Sequence, residues 1–207
     1  VGLWDKTFMR AETVLEAVAA GEMSTERADA SFRELVRLII PREERMLSLA
    51  TEYLSLRDLV GLWKHMIGTG MVGGKSMGML LARAIIRTKR PDLFPRLEHH
   101  DSFFIGSDVF YTFLVNNDCW WDRQRQKDPD AFLTDLDGVR RKIMAGAFPD
   151  YIVRRFEDML EYFGRAPIIV RSSSLLEDNF GNAFSGKYDS VFCANQGSPE
   201  ERLEALL

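Results

Sequence analysis

Apolar positions in the first 66 residues recur every three or four residues, which is the period of amphipathic α-helices. Ser55 and Asp58 stand at capping-box spacing before the last of these helices, and Pro41 interrupts the pattern after the second. Because this stretch holds no polar cluster suited to chemistry, we interpret residues 1–66 as a helical N-terminal extension for packing or partner contact. The predicted helices cover residues 7–21, 24–40, 42–54 and 55–66.

From residue 67 onward, short apolar runs alternate with amphipathic stretches and turns. Strands are predicted at residues 102–105 and 167–170, and a strand or hairpin at residues 183–195. Helices are predicted at residues 79–90, from 107, at 149–164 and from 199, with a polar excursion at residues 119–132. This alternation predicts a mixed α/β or α+β nucleotide-binding domain over residues 67–207.

The composition limits the classes of protein to which this chain can belong. A formal net charge of −4 argues against nucleic-acid binding by bulk electrostatics. Cys119 and Cys193 lack CxxC spacing and suit a reducing compartment. Apolar runs such as residues 35–40 are too short to cross a bilayer, and early charges exclude a signal peptide. We therefore expect a cytoplasmic protein that binds neither membrane nor nucleic acid, and the start at Val1 and the end in mid-helix predict a piece of a longer protein.

The glycine-rich stretch GTGMVGGKSMGM, residues 68–79, raises the question of a phosphate-binding loop. The P-loop pattern GxxxxGK[ST] fits at residues 74–76, but its first glycine would fall on Thr69. The preceding residues 59–67 also read as a helix rather than as the buried strand that leads into a P-loop. A P-loop NTPase therefore stays an alternative whose spacing argues against it.

The same stretch keeps the properties of an anion site. Glycines let backbone amides approach a phosphate, and the start of the following helix adds positive potential. Gly73 and Gly74 are the candidate amides, and Lys75 supplies a mobile cation. The alternative is a glycine-rich turn with a solvated lysine.

A second constellation lies in PIIVRSSSLLEDNFGNAFSGKYDSVF, residues 167–192. Arg171 ends an apolar strand and is followed by three serines, two carboxylates and a loop of small residues. A guanidinium at a strand end binds phosphate through a planar fork of donors, and hydroxyls and glycine amides can complete the site. The alternative is that Arg171 pairs with Glu177 or Asp178 and that the serines only form a turn.

Together these stretches resemble the N-terminal ATP-binding half of the pyruvate phosphate dikinase and phosphoenolpyruvate synthase family, to which rifampicin phosphotransferases also belong. VGGKSMGMLLAR is similar to the family's GGK loop and the helix after it, and SFFIGSDVFYTFL to its P-x-GF-x-[VI]-T segment. VRSSSLLEDNFGNAFSGKYDSVF resembles the VRSS-x-x-x-ED-x-x-x-x-SFAGQ-x-x-T block, with Gly186 fifteen and Ser190 nineteen residues after Arg171. The resemblance covers about residues 67–207.

The resemblance implies the first part of an ATP-grasp-like domain, with ATP and Mg²⁺ as cofactors. It implies that Lys75 and Arg171 hold ATP phosphates and serve catalysis, that Gly186 approaches the nucleotide through its backbone, and that Ser190 takes the family's hydroxyl position. ATP would phosphorylate a histidine on a separate domain, which carries the group to pyruvate, a drug or another acceptor. Those domains and the family's metal ligands are expected outside this chain, so we assign no metal ligand and expect the chain alone to be inactive.

Departures from the family pattern keep a second hypothesis open. Asp101 and Ser102 stand where the family has its proline, and Lys187 stands where it has glutamine. The alternative is therefore a non-catalytic interaction module with a degenerate ATP-grasp half. The oligomeric state stays open, a homo-oligomer included.

Other candidate groups have weaker support in the pattern. His65, His99 and His100 lack a phosphohistidine context and are interpreted as surface or packing residues. Trp120 and Trp121 could stack an adenine, although loop aromatics more often pack. The carboxylates of the VRSS block are expected to orient Arg171 rather than to bind a metal.

Overall fold

The structure is a computed structural model that describes residues 2–98, 101–131, 134–174, 177–179, 182–183, 186 and 188–207. The described residues form ten α-helices and six short strands, and the chain has the mixed α+β class that the pattern predicts. The helices are α1 (Leu3–Ala19), α2 (Thr25–Ile39), α3 (Glu44–Tyr53), α4 (Leu56–Lys64), α5 (Gly74–Lys89), α6 (Ser107–Asn116), α7 (Trp120–Arg125), α8 (Leu136–Met144), α9 (Asp150–Phe163) and α10 (Pro199–Leu206). The strands are β1 (Met66–Ile67), β2 (Phe104–Ile105), β3 (Ile168–Arg171), β4 (Asp178–Asn179), β5 (Asn182–Ala183) and β6 (Ser190–Cys193).

The strands form three two-stranded pairs. Strand β1 pairs with β2, β3 pairs with β6, and β4 pairs with β5. The β4–β5 pair is antiparallel, with Asp178 opposite Ala183 and Asn179 opposite Asn182. Pairs this small are marginal alone, so the fold depends on the helices that pack around them.

The start of α4 and the end of α1 lie at the signals that the sequence shows. Helix α4 opens with a capping box, in which Ser55 Oγ accepts the Asp58 amide at 3.3 Å and Asp58 accepts the Ser55 amide at 2.8 Å. Gly21 follows α1 with a φ of +75°, a conformation that glycine adopts without strain. Helix α2 buries the apolar face predicted for it, which consists of Phe32, Leu35, Val36 and Ile39.

Packing divides the chain into two compact units. The first unit comprises Val1–Met66, Gly70–Phe104 and Ile169–Phe192, and the second comprises Ile67–Thr69, Ile105–Ile168 and Cys193–Leu207. These units group residues by contact, whereas the predicted boundary between residues 66 and 67 concerns domains. That boundary stays a prediction.

One apolar core runs through the first unit and includes the N-terminal helices together with α5. Helix α5 contributes Met77, Leu81 and Ala84, and their neighbours in the core include Leu35, Ile39, Ala50, Leu59 and Val60. Fully burying one such apolar side chain stabilises a fold by roughly 1.5–3 kcal/mol. Burial of this face holds α5 against the core and therefore fixes the position of its first turn.

The second unit has its own aromatic and polar contacts. Phe148 packs against Phe113 at 4.8 Å and against Phe156 at 5.4 Å between ring centroids. Buried Asn195 donates from Nδ2 to the carbonyls of Gly164 and Ala166 at 3.0 and 2.9 Å. Gly164 ends α9 with a φ of +60°, as its position in the sequence predicts.

Several elements differ from the sequence-based prediction. Helix α5 begins at Gly74, five residues before the predicted start at residue 79, because amides of its first turn donate hydrogen bonds to another segment. Residues 66 and 67 form a strand rather than the end of a helix. Strand β3 begins one residue after Pro167, which has no amide to donate to a ladder. The predicted polar excursion contains the short helix α7.

An ion pair between α4 and α5 leads to a pH prediction. Arg87 donates to both carboxylate oxygens of Asp58, each at 2.7 Å. Burial alone would raise the pKa of Asp58, but hydrogen bonds from Arg87 and Ser55 outweigh it and leave this pKa below its ordinary value. A carboxyl with a lowered folded-state pKa contributes stability that is present above its unfolded-state pKa and is lost as pH falls through the folded-state value.

Asp58→Asn is therefore expected to lower the free energy of unfolding at pH 7 by about 1–2 kcal/mol, because the charged acceptor of the hydrogen bonds from Arg87 and from the Ser55 amide is lost. The difference from the wild type should shrink as the pH falls below about 4, where the carboxyl protonates first in the unfolded state and then, at its lowered pKa, in the folded state. Urea unfolding between pH 2.5 and 7 measures this difference. Asp29→Asn removes the same charge from an exposed position on α2 and is the charge-matched control. A difference that stays constant over this range would contradict the assignment.

Candidate nucleotide-binding site

Lys75 lies in the first turn of α5, where the helix carries its positive end. Gly73 occupies the N-cap position in an extended conformation, and Lys75 is the second helical residue. The first turn has no acidic side chain, whereas Arg87 and Lys89 stand in the last turn. This distribution leaves positive potential at the start of the helix, the location at which proteins commonly bind anions.

The VRSS segment meets this turn directly. The amide of Gly74 donates to the carbonyl of Ser173 at 3.1 Å, and the amide of Ser76 donates to Ser173 Oγ at 3.0 Å. The two hydroxyls of Ser76 and Ser173 lie 3.1 Å apart. The structure therefore brings the two sequence motifs together, although Ser76 and Ser173 are 97 residues apart in the chain.

The approach of Ser173 depends on the absence of a side chain at Gly73. A Cβ at this position would lie 1.7 Å from the Ser173 carbonyl oxygen and 2.7 Å from its Oγ. From the sequence, the glycines of the GGK motif are expected to allow the approach of a phosphate. In the structure, Gly73 makes room for the VRSS segment, and the nucleotide contacts predicted for Gly73 and Gly74 stay predictions.

Lys75 pairs with a carboxylate of the same segment. Its Nζ lies 3.6 Å from Glu177 Oε2, and the two side chains are 28% and 11% exposed. From the sequence, Glu177 is expected to orient Arg171. That partner was wrong, because the described ion pair of Glu177 is with Lys75, which the fold carries to it from α5. The side chain of Asp178 lies outside the described part of the chain.

The remaining predicted site residues lie along the continuation of the same segment. Arg171 ends β3 with an exposed side chain, and Ser190 begins the neighbouring strand β6 and is also exposed. Gly186 is exposed with a φ of +80°, a conformation that favours glycine. Between them, Tyr188 donates from its hydroxyl to Ser174 Oγ at 3.3 Å and ties this stretch to the serine turn.

Asp108 organises the residues that precede the GGK motif, a role that sequence reasoning missed. Its carboxylate accepts the Thr69 amide at 2.6 Å, the Thr69 hydroxyl at 2.8 Å and the Val109 amide at 2.8 Å. Gly68 and Gly106 leave space for this contact, since a Cβ at either would lie within 2.4 Å of a neighbouring atom. Nothing local in the sequence indicates that Asp108 has a partner 39 residues away.

Two of the other candidate groups, His65 and Trp120, are involved in packing. His65 Nδ1 lies 3.1 Å from the Gly61 carbonyl, and its ring packs edge-on against Phe103. Trp120 packs against Tyr111 with centroids 6.1 Å apart, whereas Trp121 is exposed. The considered residues His99, His100 and Lys187 lie outside the described residues.

The described residues contain no group of three or more His, Cys, Asp or Glu side chains arranged to hold a metal ion. None of the helices in this part of the chain is long and apolar enough to cross a membrane.

Comparison with known proteins identifies the family. Residues 69–207 match the sequence model described as "Pyruvate phosphate dikinase, AMP/ATP-binding domain". The chain belongs to this family. The match includes both the GGK turn and the VRSS segment, so the two motifs that adjoin in the structure are parts of one dikinase AMP/ATP-binding domain. No curated protein and no solved structure matched the chain.

Family membership bears on the alternatives left open by the sequence. The dikinase AMP/ATP-binding domain is ATP-grasp-like, which agrees with the predicted α+β class. A helix directly before Gly70 would have dismissed the P-loop alternative, but the two-residue strand Met66–Ile67 and a short turn stand there. The argument against a P-loop therefore comes from the spacing of its glycines and from the dikinase family match.

Proposed function

We propose that this dikinase-family protein is the ATP-binding part of a phosphoenolpyruvate synthase-like or pyruvate phosphate dikinase-like phosphotransferase. In this role it holds the phosphates of ATP for transfer to a histidine on another domain. The observation that carries the proposal is the junction of Lys75, at the positive end of α5, with the VRSS segment that also bears Arg171. The match to an AMP/ATP-binding domain over both motifs supports it.

The chemistry proposed for the side chains is positioning and charge neutralisation, which dominate catalysis of phosphoryl transfer. The Lys75 ammonium provides a compact cation with three donors, one of which faces Glu177. The guanidinium of Arg171 provides a planar fork of donors that matches two phosphate oxygens. Two different cations in one phosphate site would orient the chain of phosphates as well as attract it.

The residues fit ATP better than they fit a protein-bound metal. An exposed arginine, a partly exposed lysine and a helix start without acidic residues suit a polyanion. We propose that Gly186 contributes through its backbone and Ser190 through its hydroxyl, both exposed on the adjoining segment. Since the described residues hold no metal cluster, Mg²⁺ is proposed only as the companion of the nucleotide phosphates, with no ligand assigned.

Arg171→Ala in the intact protein is expected to weaken Mg·ATP binding by about 10-fold or more, because hydrogen bonds to charged groups contribute roughly 1.5–3 kcal/mol. Arg171→Lys should recover only part of the affinity, since it keeps the charge but loses the fork. Isothermal titration with Mg·ATP measures the three affinities. Arg165→Ala, which removes an exposed arginine six residues earlier, is the matched control and should bind like the wild type.

Two outcomes would redirect the proposal. Equal affinity for Mg·ATP in the wild type and Arg171→Ala would show that Arg171 does not bind the nucleotide. Tight binding of Mg·ATP without phosphoryl transfer by the intact protein would favour the non-catalytic alternative.

We also propose a cytoplasmic location, which the free thiols of Cys119 and Cys193 support.

A further inference from the structure

Helix α5 lacks an N-terminal cap of its own. Its N-cap residue is Gly73, which has no side-chain oxygen to accept an amide of the first turn. Most helices meet this need with Ser, Thr, Asp or Asn at the N-cap, whose oxygen accepts the amide of the second or third helical residue. In α5 the third helical residue is Ser76, and its amide donates to Ser173 Oγ at 3.0 Å. The missing cap is thus supplied by another part of the chain.

Ser173 contacts the same turn at two further points. Its carbonyl accepts the amide of Gly74 at 3.1 Å, and its hydroxyl lies 3.1 Å from Ser76 Oγ. Gly73 is tightly apposed to that carbonyl, where no other residue would fit without movement. Three contacts on one helical turn, together with a glycine that clears the space, define a specific junction.

The neighbouring serines have other partners. Ser172 Oγ accepts the amide of Ser174 at 3.2 Å within the serine turn. Ser174 Oγ accepts a hydrogen bond from the hydroxyl of Tyr188 at 3.3 Å. Ser173 is therefore the serine whose hydroxyl caps α5, and Ser172 offers a matched control one residue away.

We propose that Ser173 is a positioning residue of the nucleotide site: it fixes the first turn of α5 and hence the point from which Lys75 reaches the phosphates. The inference rests on the proposed function, because it gives Ser173 an effect on ATP binding through Lys75. Lys75 stands between Gly74 and Ser76, whose amides both donate to Ser173, so its backbone cannot shift without loss of a hydrogen bond. Glu177, four residues after Ser173, holds the ammonium end at 3.6 Å.

Hydrogen exchange in the nucleotide-free intact protein tests the cap directly. In Ser173→Ala the amide of Ser76 should exchange about 5- to 30-fold faster, the effect of a lost N-cap of typical strength. The amide of Gly74 should stay protected, because it donates to a backbone carbonyl that the substitution keeps. Ser173→Thr and Ser172→Ala should leave both amides as in the wild type. Unchanged exchange of Ser76 in Ser173→Ala would overturn the proposal.

Nucleotide binding tests whether the cap acts through Lys75. Ser173→Ala should weaken Mg·ATP binding by about 3- to 10-fold in the otherwise wild-type protein. In a Lys75→Ala background, the same substitution should cause almost no further loss of affinity. Losses that add in full would show that Ser173 does not act through Lys75 and would overturn the proposal.

A third readout separates this proposal from the proposed function. If the wild type fails to bind Mg·ATP, the proposed function is refuted, and the reactivity of Lys75 decides the positioning role. Acetic anhydride should then acetylate Lys75 several-fold faster in Ser173→Ala than in the wild type, measured by mass spectrometry against exposed Lys6 as the internal reference. Equal relative rates would overturn the positioning role.

Discussion

Gly73→Ala is expected to lower the free energy of unfolding by about 3 kcal/mol, the upper part of the range for overpacking. The backbone at Gly73 has a φ of −75° and a ψ of 172°, which alanine adopts freely, so the loss comes from space rather than from strain. The new methyl group would lie 1.7 Å from the carbonyl oxygen of Ser173. Backbone atoms cannot rotate away, and the VRSS segment must therefore separate from α5.

Gly78→Ala is the matched control on the same helix. Gly78 is exposed in the interior of α5, and a Cβ there meets no atom within 4 Å. Because glycine is a poorer helix former than alanine, this change should raise the free energy of unfolding by about 0.5–1 kcal/mol. Urea unfolding at equilibrium measures both variants. If Gly73→Ala unfolded within 0.5 kcal/mol of the wild type by that measurement, the close packing of Ser173 on α5 would be wrong.

Lys75→Ala is expected to weaken Mg·ATP binding by about 30-fold or more, within the range for removal of a charged hydrogen-bond donor. Two effects contribute. The phosphates lose a cation at the start of α5, and Glu177 loses the ammonium that faces it at 3.6 Å. A carboxylate that is only 11% exposed and has lost this partner would repel the phosphates that replace it. The same substitution should also lower the free energy of unfolding by about 1–3 kcal/mol.

A double-mutant cycle separates these two effects. If part of the loss comes from the uncovered carboxylate, Lys75→Ala with Glu177→Gln should bind Mg·ATP more tightly than Lys75→Ala alone. Lys6→Ala, which removes an exposed lysine near the start of α1, controls for net charge and should bind as the wild type does. Wild-type affinity in Lys75→Ala, measured by isothermal titration, would refute the phosphate role of Lys75.

Sequence reasoning was most successful where structure depends on neighbours in the chain. The capping box that begins α4 follows from residues three positions apart, Ser55 with Asp58. The buried face of α2 follows from a period of three to four residues. In both cases the interacting groups lie within one or two helical turns, so the local chain specifies them.

It was less successful where an element has a weak local signal. The start of α5 was predicted too late, because Gly73 and Gly74 read as a loop until Ser173 is known to cap them. Helix α8 was missed, since none of its described side chains is buried and its start depends on Asp135 in a left-handed conformation. Tertiary contacts and unusual backbone geometry decided these elements.

In the candidate site, too, some features follow from the local sequence and others depend on tertiary contacts. Residue types made Lys75 and Arg171 candidates for phosphate binding, because a lysine at a glycine-rich helix start and an arginine at a strand end both suit a polyanion. A solvated lysine and a pairing of Arg171 with a nearby carboxylate stayed open as alternatives. The resemblance of the same motifs indicated the family that the match over residues 69–207 then established. The partner of Glu177 was assigned wrongly, since chain proximity favoured Arg171 over a lysine 102 positions away.

The local chain thus specified most of the helices, their apolar faces, the α+β class and the residue types of the candidate site. The tertiary structure decided how the site is assembled: that Ser173 caps α5, that Gly73 makes room for it, and that Glu177 faces Lys75. Helix propensity, hydrophobic periodicity and capping act over one or two helical turns and are determined by residues close together in the sequence. A hydrogen bond across 97 residues depends instead on where the packed core places α5 and the end of β3, and no local pattern records that placement.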